Sequence, residues 1–271
     1  MERISASIFL LYRSERNSLR GQNEKLIFMT EKSIADPNTE IVLPSPQELI
    51  EAGVHFGHKT SKWHPKMEKF IFTSKNDVHI FDLEKTLKNL QAAIIFLKSV
   101  LSRGGEILFV GTKPASKGLV KEAGEALNQP YVSERWLGGT LTNFKTISKR
   151  LEYLRNLQEQ QKTGGLDKYT KKEKLKLGKL AEKMEKQLGG IKNMRRLPDI
   201  VFVSDVKEDS LAIKEAKRMR IPVVAICDTN ADPSLVDYLI PANDDASSSI
   251  KAIIDSLVLN LKNVKPESIN K

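Results

Sequence analysis

The chain of 271 residues is poor in cysteine, in acidic residues and in long apolar runs. Its one cysteine, Cys227, excludes a disulfide framework and fits a reducing compartment. No apolar run approaches the roughly 20 residues of a membrane-spanning helix, so we expect no membrane partner. Acids number 34 against 44 Lys and Arg, which gives a formal net charge of +10. Such a protein is attracted to polyanions, and charge alone leaves RNA, DNA and an acidic membrane open.

The signatures of common enzyme classes are also missing. Residues 111–118 (GTKPASKG) lie between a predicted strand and a predicted helix, where phosphate loops occur. They lack the Gly-Lys-Ser/Thr ending and are not GxGxxG, so neither a nucleotide loop nor a dinucleotide site is supported. An anion at the helix N-terminus, held by Lys113 and Lys117, stays open and could be an RNA phosphate. No Ser-His-Asp, Cys-His or HExxH arrangement can be assembled.

Histidines and aspartates suggest two further sites. All four histidines fall within residues 55–79, but their spacing is irregular and no cysteine lies nearby, so we predict no metal and no cofactor. These histidines are expected to pack, cap turns or stack on RNA. Asp205 and Asp228 follow predicted strands, where α/β enzymes place catalytic groups, although carboxylates also cap helices. An enzyme using these two aspartates is therefore an alternative to our prediction of a protein without catalytic activity.

Apolar runs alternate with amphipathic segments along most of the chain. The predicted strands are 78–81, 106–111, 131–132, 200–203, 222–227 and 238–240. The predicted helices are 46–52, 83–102, 117–127, 210–219 and 247–261. Near-continuous apolar strands with short connections to helices indicate a parallel sheet that is covered on both faces. We therefore predict a doubly wound, three-layer α/β core.

The alternation breaks between Phe144 and Met194. Two amphipathic stripes flank the turn Thr163–Gly165, and Thr170 with Glu173 forms a possible capping box. The stripes are Ile147, Leu151, Leu154 and Leu157, then Leu177, Leu180, Met184, Leu188 and Ile191. The pattern predicts an antiparallel helical hairpin that projects from the core. Its many lysines are either a solvated face or a docking surface.

The segment Ile50–Lys69 places cations and an indole just after an apolar turn with two glycines. Ammonium groups beside an aromatic face suit a phosphate backbone with exposed bases. The alternative is a solvated basic loop with a core tryptophan. Upstream, arginines and serines in residues 1–28 faintly resemble a transit peptide, whereas three glutamates argue against one. Translation from Met29 is the alternative, and we expect a disordered extension that ends near Pro44.

Several blocks, in order, resemble the small-subunit ribosomal protein S2 family of bacteria and organelles. They include Glu51–His58, Trp63 with Pro65–Met67, Ile71–Phe72, Asp82–Thr86, Gly111–Lys113, Arg135–Asn143, Glu215–Ala216, Ile221–Pro222, Asp228–Asn230 and Ile240–Ala246. The resemblance spans about residues 45–262. It implies a flavodoxin-like core with an inserted antiparallel coiled-coil hairpin and no catalytic activity. Its expected partners are small-subunit rRNA, neighbouring ribosomal proteins and, in bacteria, the large mRNA-binding protein of the subunit.

The resemblance also frames the expected domains, compartment and site. We predict an extension (1–44), a core (45–143 and 195–262), a hairpin insertion (144–194) and a tail (263–271). The expected location is a cytoplasmic bacterial ribosome, with a plastid or mitochondrial ribosome as the alternative. The expected RNA contacts are Lys59, Lys62, Trp63, Lys66, Lys69, Lys113, Arg135, Trp136, Thr142, Asn143, Arg195 and Arg196. Beside Leu137, Trp136 fits a core position equally well. An interaction protein built around the hairpin, outside the ribosome, remains a further alternative.

Overall fold

The computed structural model describes residues 41–165 and 169–264. In these residues the strands form two sheets, and helices cover the larger one. The strands are β1 (Phe56–Lys59), β2 (Ile71–Lys75), β3 (Val78–Phe81), β4 (Ile107–Val110), β5 (Tyr131–Val132), β6 (Ile200–Val203), β7 (Val223–Cys227) and β8 (Tyr238–Pro241). The α-helices are α1 (Pro46–Glu51), α2 (Leu83–Ser102), α3 (Lys117–Leu127), α4 (Phe144–Lys162), α5 (Lys171–Leu188), α6 (Ser210–Arg218) and α7 (Ser247–Leu261). Short 3-10 helices cover Thr60–Lys62, Pro65–Phe70, Gly189–Ile191 and Pro233–Leu235.

The larger sheet has five parallel strands in the order β5-β4-β6-β7-β8. This order has the reversal of direction of flavodoxin-like folds, with the switch between β4 and β6. Every residue of β4, β6 and β7 is buried, as expected for strands covered on both faces. The predicted α/β class and parallel sheet are confirmed.

The sheet separates two apolar layers because successive side chains point to opposite faces. Phe109 and Phe202 pack with α2, α3 and α7, through residues such as Leu90 and Ile250. Leu108, Val110, Val201 and Val203 pack with α4 and α6 on the other face. The alternation therefore produces helix, sheet and helix layers, and it leaves the carboxyl ends of the strands open for polar side chains.

The smaller sheet is antiparallel, in the order β1-β3-β2, and the sequence did not predict it. We expected β3 to belong to the parallel sheet, which was wrong. The reason is local: Asn76 and Asp77 have φ of 51° and 60°, the left-handed pair that closes a tight hairpin between β2 and β3. Asp82 then caps α2 by accepting from the Glu84 N–H at 3.1 Å, and the chain returns to the core.

Helices α4 and α5 pack against each other in opposite directions. Leu154 shares a buried cluster with Leu188, whereas further along α4 the side chain of Leu157 packs on Ala181. Thr170 and Glu173 form the predicted capping box at the start of α5. Leu180, predicted in the apolar stripe, is 39% exposed, and Ala181 is buried instead. The difference follows from crowding, since a small side chain lets the two helices approach closely.

Most of the predicted extension and tail lies outside the described residues. Of the extension, Ile41–Pro44 are described, and Val42 has partners in the core. Its N–H donates to Asn260 Oδ1 at 3.0 Å, and its carbonyl accepts from Asn260 Nδ2 at 2.7 Å. Val42 is thus held against α7 by a buried amide. The four-part domain division and the choice between Met1 and Met29 as the start stay predictions.

Candidate nucleic-acid interface

From Phe56 to Phe70 the basic segment forms β1 and two short 3-10 helices, and β2 follows at Ile71. The side chains of Lys59, Lys62 and Lys69 are exposed, and among the described residues no carboxylate pairs with them. Lys69 Nζ lies 4.9 Å from the centre of the Phe70 ring, which itself is buried. Pro65 starts the second 3-10 helix and Met67 anchors it in the core. The fold therefore buries Met67 and Phe70 and presents the lysines of the segment to solvent.

Trp63 and Lys66 differ from these three lysines. Trp63 is 36% exposed, and its ring centre lies 5.3 Å from that of His79. The Trp63 ring thus has one supported face and one accessible part, which a base could contact. Lys66 Nζ lies 3.2 Å from Asp232 Oδ1 and donates to Ser234 Oγ at 2.9 Å. Its charge is already partly balanced at a surface where such pairs are weak.

Lys113 lies at the carboxyl edge of the parallel sheet and is surrounded by carboxylates. Its Nζ is 3.0 Å from Asp205, 2.9 Å from Asp244 and 2.7 Å from Asp245. Although burial acts to lower the pKa of Lys113, hydrogen bonds to Asp245 and Asp244 raise it above its ordinary value. Lys117 likewise pairs with Glu134 at 3.2 Å. The two lysines expected to hold an anion are therefore neutralised by the protein's own acids.

His58 joins the same carboxyl edge. Its Nδ1 lies 3.1 Å from Asp228 and its Nε2 lies 3.3 Å from Asp245. The hydrogen bond to Asp228 raises the pKa of His58, against the effect of burial. His58, Asp244 and Asp245 also form a group whose ligand atoms would fit one metal ion. The ammonium of Lys113 already occupies the space between the two carboxylates, so the edge has a cation of its own.

The other histidines do not converge on this group. His64 lies 3.9 Å from Asp232, whereas His79 packs on Trp63, and no described residue forms a hydrogen bond with either of its ring nitrogens. His55 contacts the Phe56 ring at 4.0 Å between centres. The four histidines therefore have separate surroundings, and His58 is the one that lies between two carboxylates, Asp228 and Asp245.

A buried carboxylate organises the loop Arg135–Asn143. Glu215, 6% exposed on α6, accepts from the Trp136 Nε1–H at 3.1 Å and from the backbone N–H groups of Gly139, Leu141 and Thr142 at 2.8 to 3.1 Å. The Thr142 hydroxyl donates to the same carboxylate at 3.1 Å. Sequence inspection missed Glu215 because its donors lie more than 70 residues away. The sequence feature that could have revealed Glu215 is an acidic residue on the apolar face of a predicted helix.

The hydrogen bonds to Glu215 give Trp136 and Thr142 roles within the fold. Trp136 is 7% exposed and packs in the core, so the core alternative fits its position and its ring has no free face for stacking. Thr142 has its hydroxyl and its N–H committed to Glu215. Arg135 and Asn143, at the two ends of the loop, are exposed. Asn143 Oδ1 accepts from the Thr146 hydroxyl at 2.9 Å at the start of α4.

The two arginines after the helical pair are both exposed but differ in their contacts. Arg196 donates to the Gly104 carbonyl at 3.0 Å and lies 3.1 Å from Asp199. For Arg195 there is no ion pair within the described part of the chain. Ten of the twelve sequence-predicted residues thus fall into two sets. Five are exposed cations for which the described residues supply no carboxylate partner (Lys59, Lys62, Lys69, Arg135 and Arg195). Five are tied into the fold (Lys66, Lys113, Trp136, Thr142 and Arg196).

Together the strand order and these surfaces define a basic, flavodoxin-like α/β protein with an added antiparallel sheet and a pair of packed helices. Among the residues that the structure describes, none of the helices combines the length and the apolar character that a membrane crossing requires.

The family model described as Ribosomal protein S2 matches residues 49–262, which is most of the chain. The chain therefore belongs to the Ribosomal protein S2 family, as its sequence blocks suggested. Membership implies a structural protein of the small ribosomal subunit that associates with ribosomal RNA and other ribosomal proteins.

Proposed function

We propose that this protein binds small-subunit rRNA directly through its exposed cations and so holds a part of the subunit in place during translation. The observation that carries this proposal is the division of the lysines. Carboxylates enclose Lys113, whereas Lys59, Lys62 and Lys69 face solvent and pair with no carboxylate of residues 41–165 and 169–264. Cations left unpaired on a folded surface replace counterions on a phosphate backbone, which gives salt-dependent binding.

The helical pair is proposed as a coiled-coil hairpin insertion that meets another protein of the subunit. In a bacterial ribosome this partner would be the large mRNA-binding protein. The lysine-rich face of α5 and the exposed Leu175, at 61%, support a surface role. Among the described residues, the end of the pair away from the main core buries only a small cluster, Leu157 and Ala181 with Leu177 packed against them. The proposed location is a bacterial cytoplasmic ribosome, with an organellar ribosome as the alternative.

Catalysis is not part of the proposed function. The two aspartates of the enzyme alternative already have partners: Asp205 pairs with Lys113 and caps the N–H groups of Lys207 and Glu208. Asp228 contacts His58 and accepts from the Thr229 N–H. Both carboxylates support the loops at the carboxyl edge of the sheet.

The test is sedimentation of the native protein from gently lysed cells across a salt series, with sequencing of the RNA that migrates with it. We expect migration with small subunits and their rRNA, lost only at high salt. A protein that stays in the soluble fraction without rRNA at low salt would contradict the proposal. A stoichiometric protein partner that survives nuclease treatment would instead favour the interaction protein built around the hairpin.

A further inference from the structure

The antiparallel sheet has one face in the core and one in solvent. Phe81 of β3 is 2% exposed, so the face that carries His79 and Phe81 is turned toward the protein. Val78 and Ile80, which alternate with them, lie on the outer face. Residues paired across antiparallel strands share a face. The outer face therefore consists of two rows, Phe56–Ile80–Thr73 and Lys59–Val78–Lys75.

These rows combine an apolar centre with cations at one end. Val78 and Ile80 are half-buried, and Phe56 beside Ile80 is 47% exposed. Lys59 and Lys75 flank Val78 from the two neighbouring strands, and both are exposed. Among the described residues, Phe56, Val78 and Ile80 belong to neither of the two main core clusters, so this face packs on neither core.

A bulge presents a second aromatic ring at the edge of the same sheet. Ile71 pairs with Phe81 and Thr73 pairs with Ile80, so Phe72 is the extra residue of β2. Bulges of this kind redirect a side chain and are frequent next to functional sites. Phe72 is 76% exposed, more than any other large apolar side chain in the described ranges. A phenyl ring with this exposure contributes little to the packing of the protein itself.

The charges around the sheet identify the occupant of this face. Residues 55–81 carry five lysines against two acids, Glu68 and Asp77. Of these lysines, only Lys66 is paired with a carboxylate among the described residues. A protein partner would need matching acids, whereas a nucleic acid supplies phosphates for the lysines and flat bases for the rings. Proteins that bind unpaired RNA use this design, with aromatic residues on a sheet face that stack bases.

We infer that the outer face of the β1-β3-β2 sheet is a platform for unpaired rRNA bases. Phe56 and Phe72 are its stacking residues, and Lys59 and Lys75 are its phosphate ligands. This inference rests on the proposed rRNA-binding function and adds three residues to it, Phe56, Phe72 and Lys75.

Crosslinking in native small subunits tests the contact directly. After irradiation at 254 nm and digestion with trypsin, Phe72 falls in the peptide from Phe70 to Lys75. We expect a nucleotide adduct on this peptide, with Phe72 as the modified residue. Attachment of Phe72 to another protein, with no nucleotide adduct, would overturn the inference and make the face a protein contact.

Binding of the purified full chain to a mixed-sequence 12-nucleotide single-stranded RNA, compared with a duplex of equal length, provides the second test. Phe56→Ala and Phe72→Ala should each weaken single-strand binding by about 5- to 100-fold, as expected for loss of one stacked base. Phe72→Tyr should bind like the parent. Leu259→Ala, at an apolar residue of α7 that is 57% exposed, is the matched control and should change nothing.

The outcomes separate this inference from the function on which it rests. If both phenylalanine variants bind as the parent does while Lys62→Ala weakens binding, the protein binds RNA elsewhere and the platform is wrong. If the parent neither binds RNA nor sediments with small subunits, the proposed function itself fails. If the phenylalanine variants lose single-strand affinity but keep duplex affinity, the platform is supported as a site for unpaired bases.

Discussion

At the scale of single residues, Glu215 is the clearest case of a carboxylate that stabilises the fold without a cation. Five hydrogen bonds converge on it from Trp136, Gly139, Leu141 and Thr142. We expect Glu215→Gln to lower the free energy of unfolding by about 2–4 kcal/mol. An amide accepts fewer hydrogen bonds than a carboxylate, and its NH2 group would face N–H donors of the loop. Urea unfolding measures this. Glu152→Gln, on the exposed side of α4, is the matched control and should stay within about 0.5 kcal/mol.

The same carboxylate makes a pH-dependent contribution. Burial acts to raise the pKa of Glu215, but the N–H groups of Gly139 and Thr142 and the indole of Trp136 prevail, so its pKa lies below its usual value. A depressed pKa gives stability that is present above the unfolded value and is lost as the pH falls through the folded value. The difference between parent and Glu215→Gln should therefore narrow below about pH 4. A difference that stays constant down to pH 3 would refute this account.

Asp209 shows the opposite sign. Burial first, and then the charges of Asp205 and Glu208, raise its pKa to about 6, although Thr112 donates to it. An acid with a raised pKa costs stability as the pH rises from the unfolded value to the folded value, here from about pH 4 to pH 6. Asp209→Asn should therefore be more stable than the parent at pH 8, by about 1–3 kcal/mol, and nearly equal at pH 4. Asp255→Asn, in an exposed pair with Lys251, should show no such trend.

Among helices and strands, local signals determined which elements could be predicted. Helix α2 is found to the residue because Asp82 caps it and leucines recur along one face up to Gly104. Strands β1 and β2 were missed because both are short and bulged, so their side chains do not alternate regularly. The carboxylate partners of Lys113 lie 92 to 132 residues further along the chain. Sequence patterns relate residues only a few positions apart, so they could not predict these ion pairs.

At the same scale, the contact between the Gly189–Ile191 helix and edge strand β5 predicts a sharp difference between two glycines. A Cβ at Gly190 would lie 2.2 Å from the Tyr131 carbonyl oxygen, whereas a Cβ at Gly118 of α3 meets nothing within 4 Å. Gly190→Ala should cost about 2–3 kcal/mol, because backbone must move to relieve the overlap. Gly118→Ala should gain about 0.5–1 kcal/mol through helix propensity. Thermal unfolding of the two variants and the parent measures both changes in stability. Equal changes in the two variants would contradict the close contact at Gly190.

Across the whole molecule, acids and bases are sorted rather than mixed. The carboxyl edge of the parallel sheet gathers Asp205, Asp228, Asp244 and Asp245 around Lys113 and His58. The added antiparallel sheet carries Lys59 and Lys75, which pair with no acid in the part of the chain that the structure describes. A net charge of +10 therefore understates the local positive field, because the acids lie inside ion pairs at the sheet edge. Composition predicted the attraction to a polyanion, but only the fold separates structural lysines from available ones.

This sorting predicts that two substitutions that each remove one positive charge will differ in their effect on the free energy of unfolding. Lys113→Met leaves three carboxylates without their cation, so it should lower the free energy of unfolding by about 3–5 kcal/mol at pH 8. The loss should shrink in acid, because burial first and then Asp205 and Asp228 raise the pKa of Asp244 to about 7, so that its carboxyl takes up a proton readily. Lys62→Met should leave unfolding unchanged, since Lys62 pairs with no acid in the described ranges.

RNA binding should show the reverse pattern: Lys62→Met should change its salt dependence, and Lys113→Met should not. A lysine that contacts a phosphate contributes about 0.7 to the slope of log affinity against log salt, so Lys62→Met should reduce this slope. Lys113→Met, measured at a temperature where it remains folded, should keep the slope of the parent because its ammonium is enclosed by the protein's own carboxylates. Binding to rRNA across a salt series, beside urea unfolding of the same preparations, provides both quantities. If Lys113→Met lowered the salt slope and Lys62→Met did not, the phosphate contacts would lie at the carboxyl edge of the parallel sheet instead of on the added antiparallel sheet.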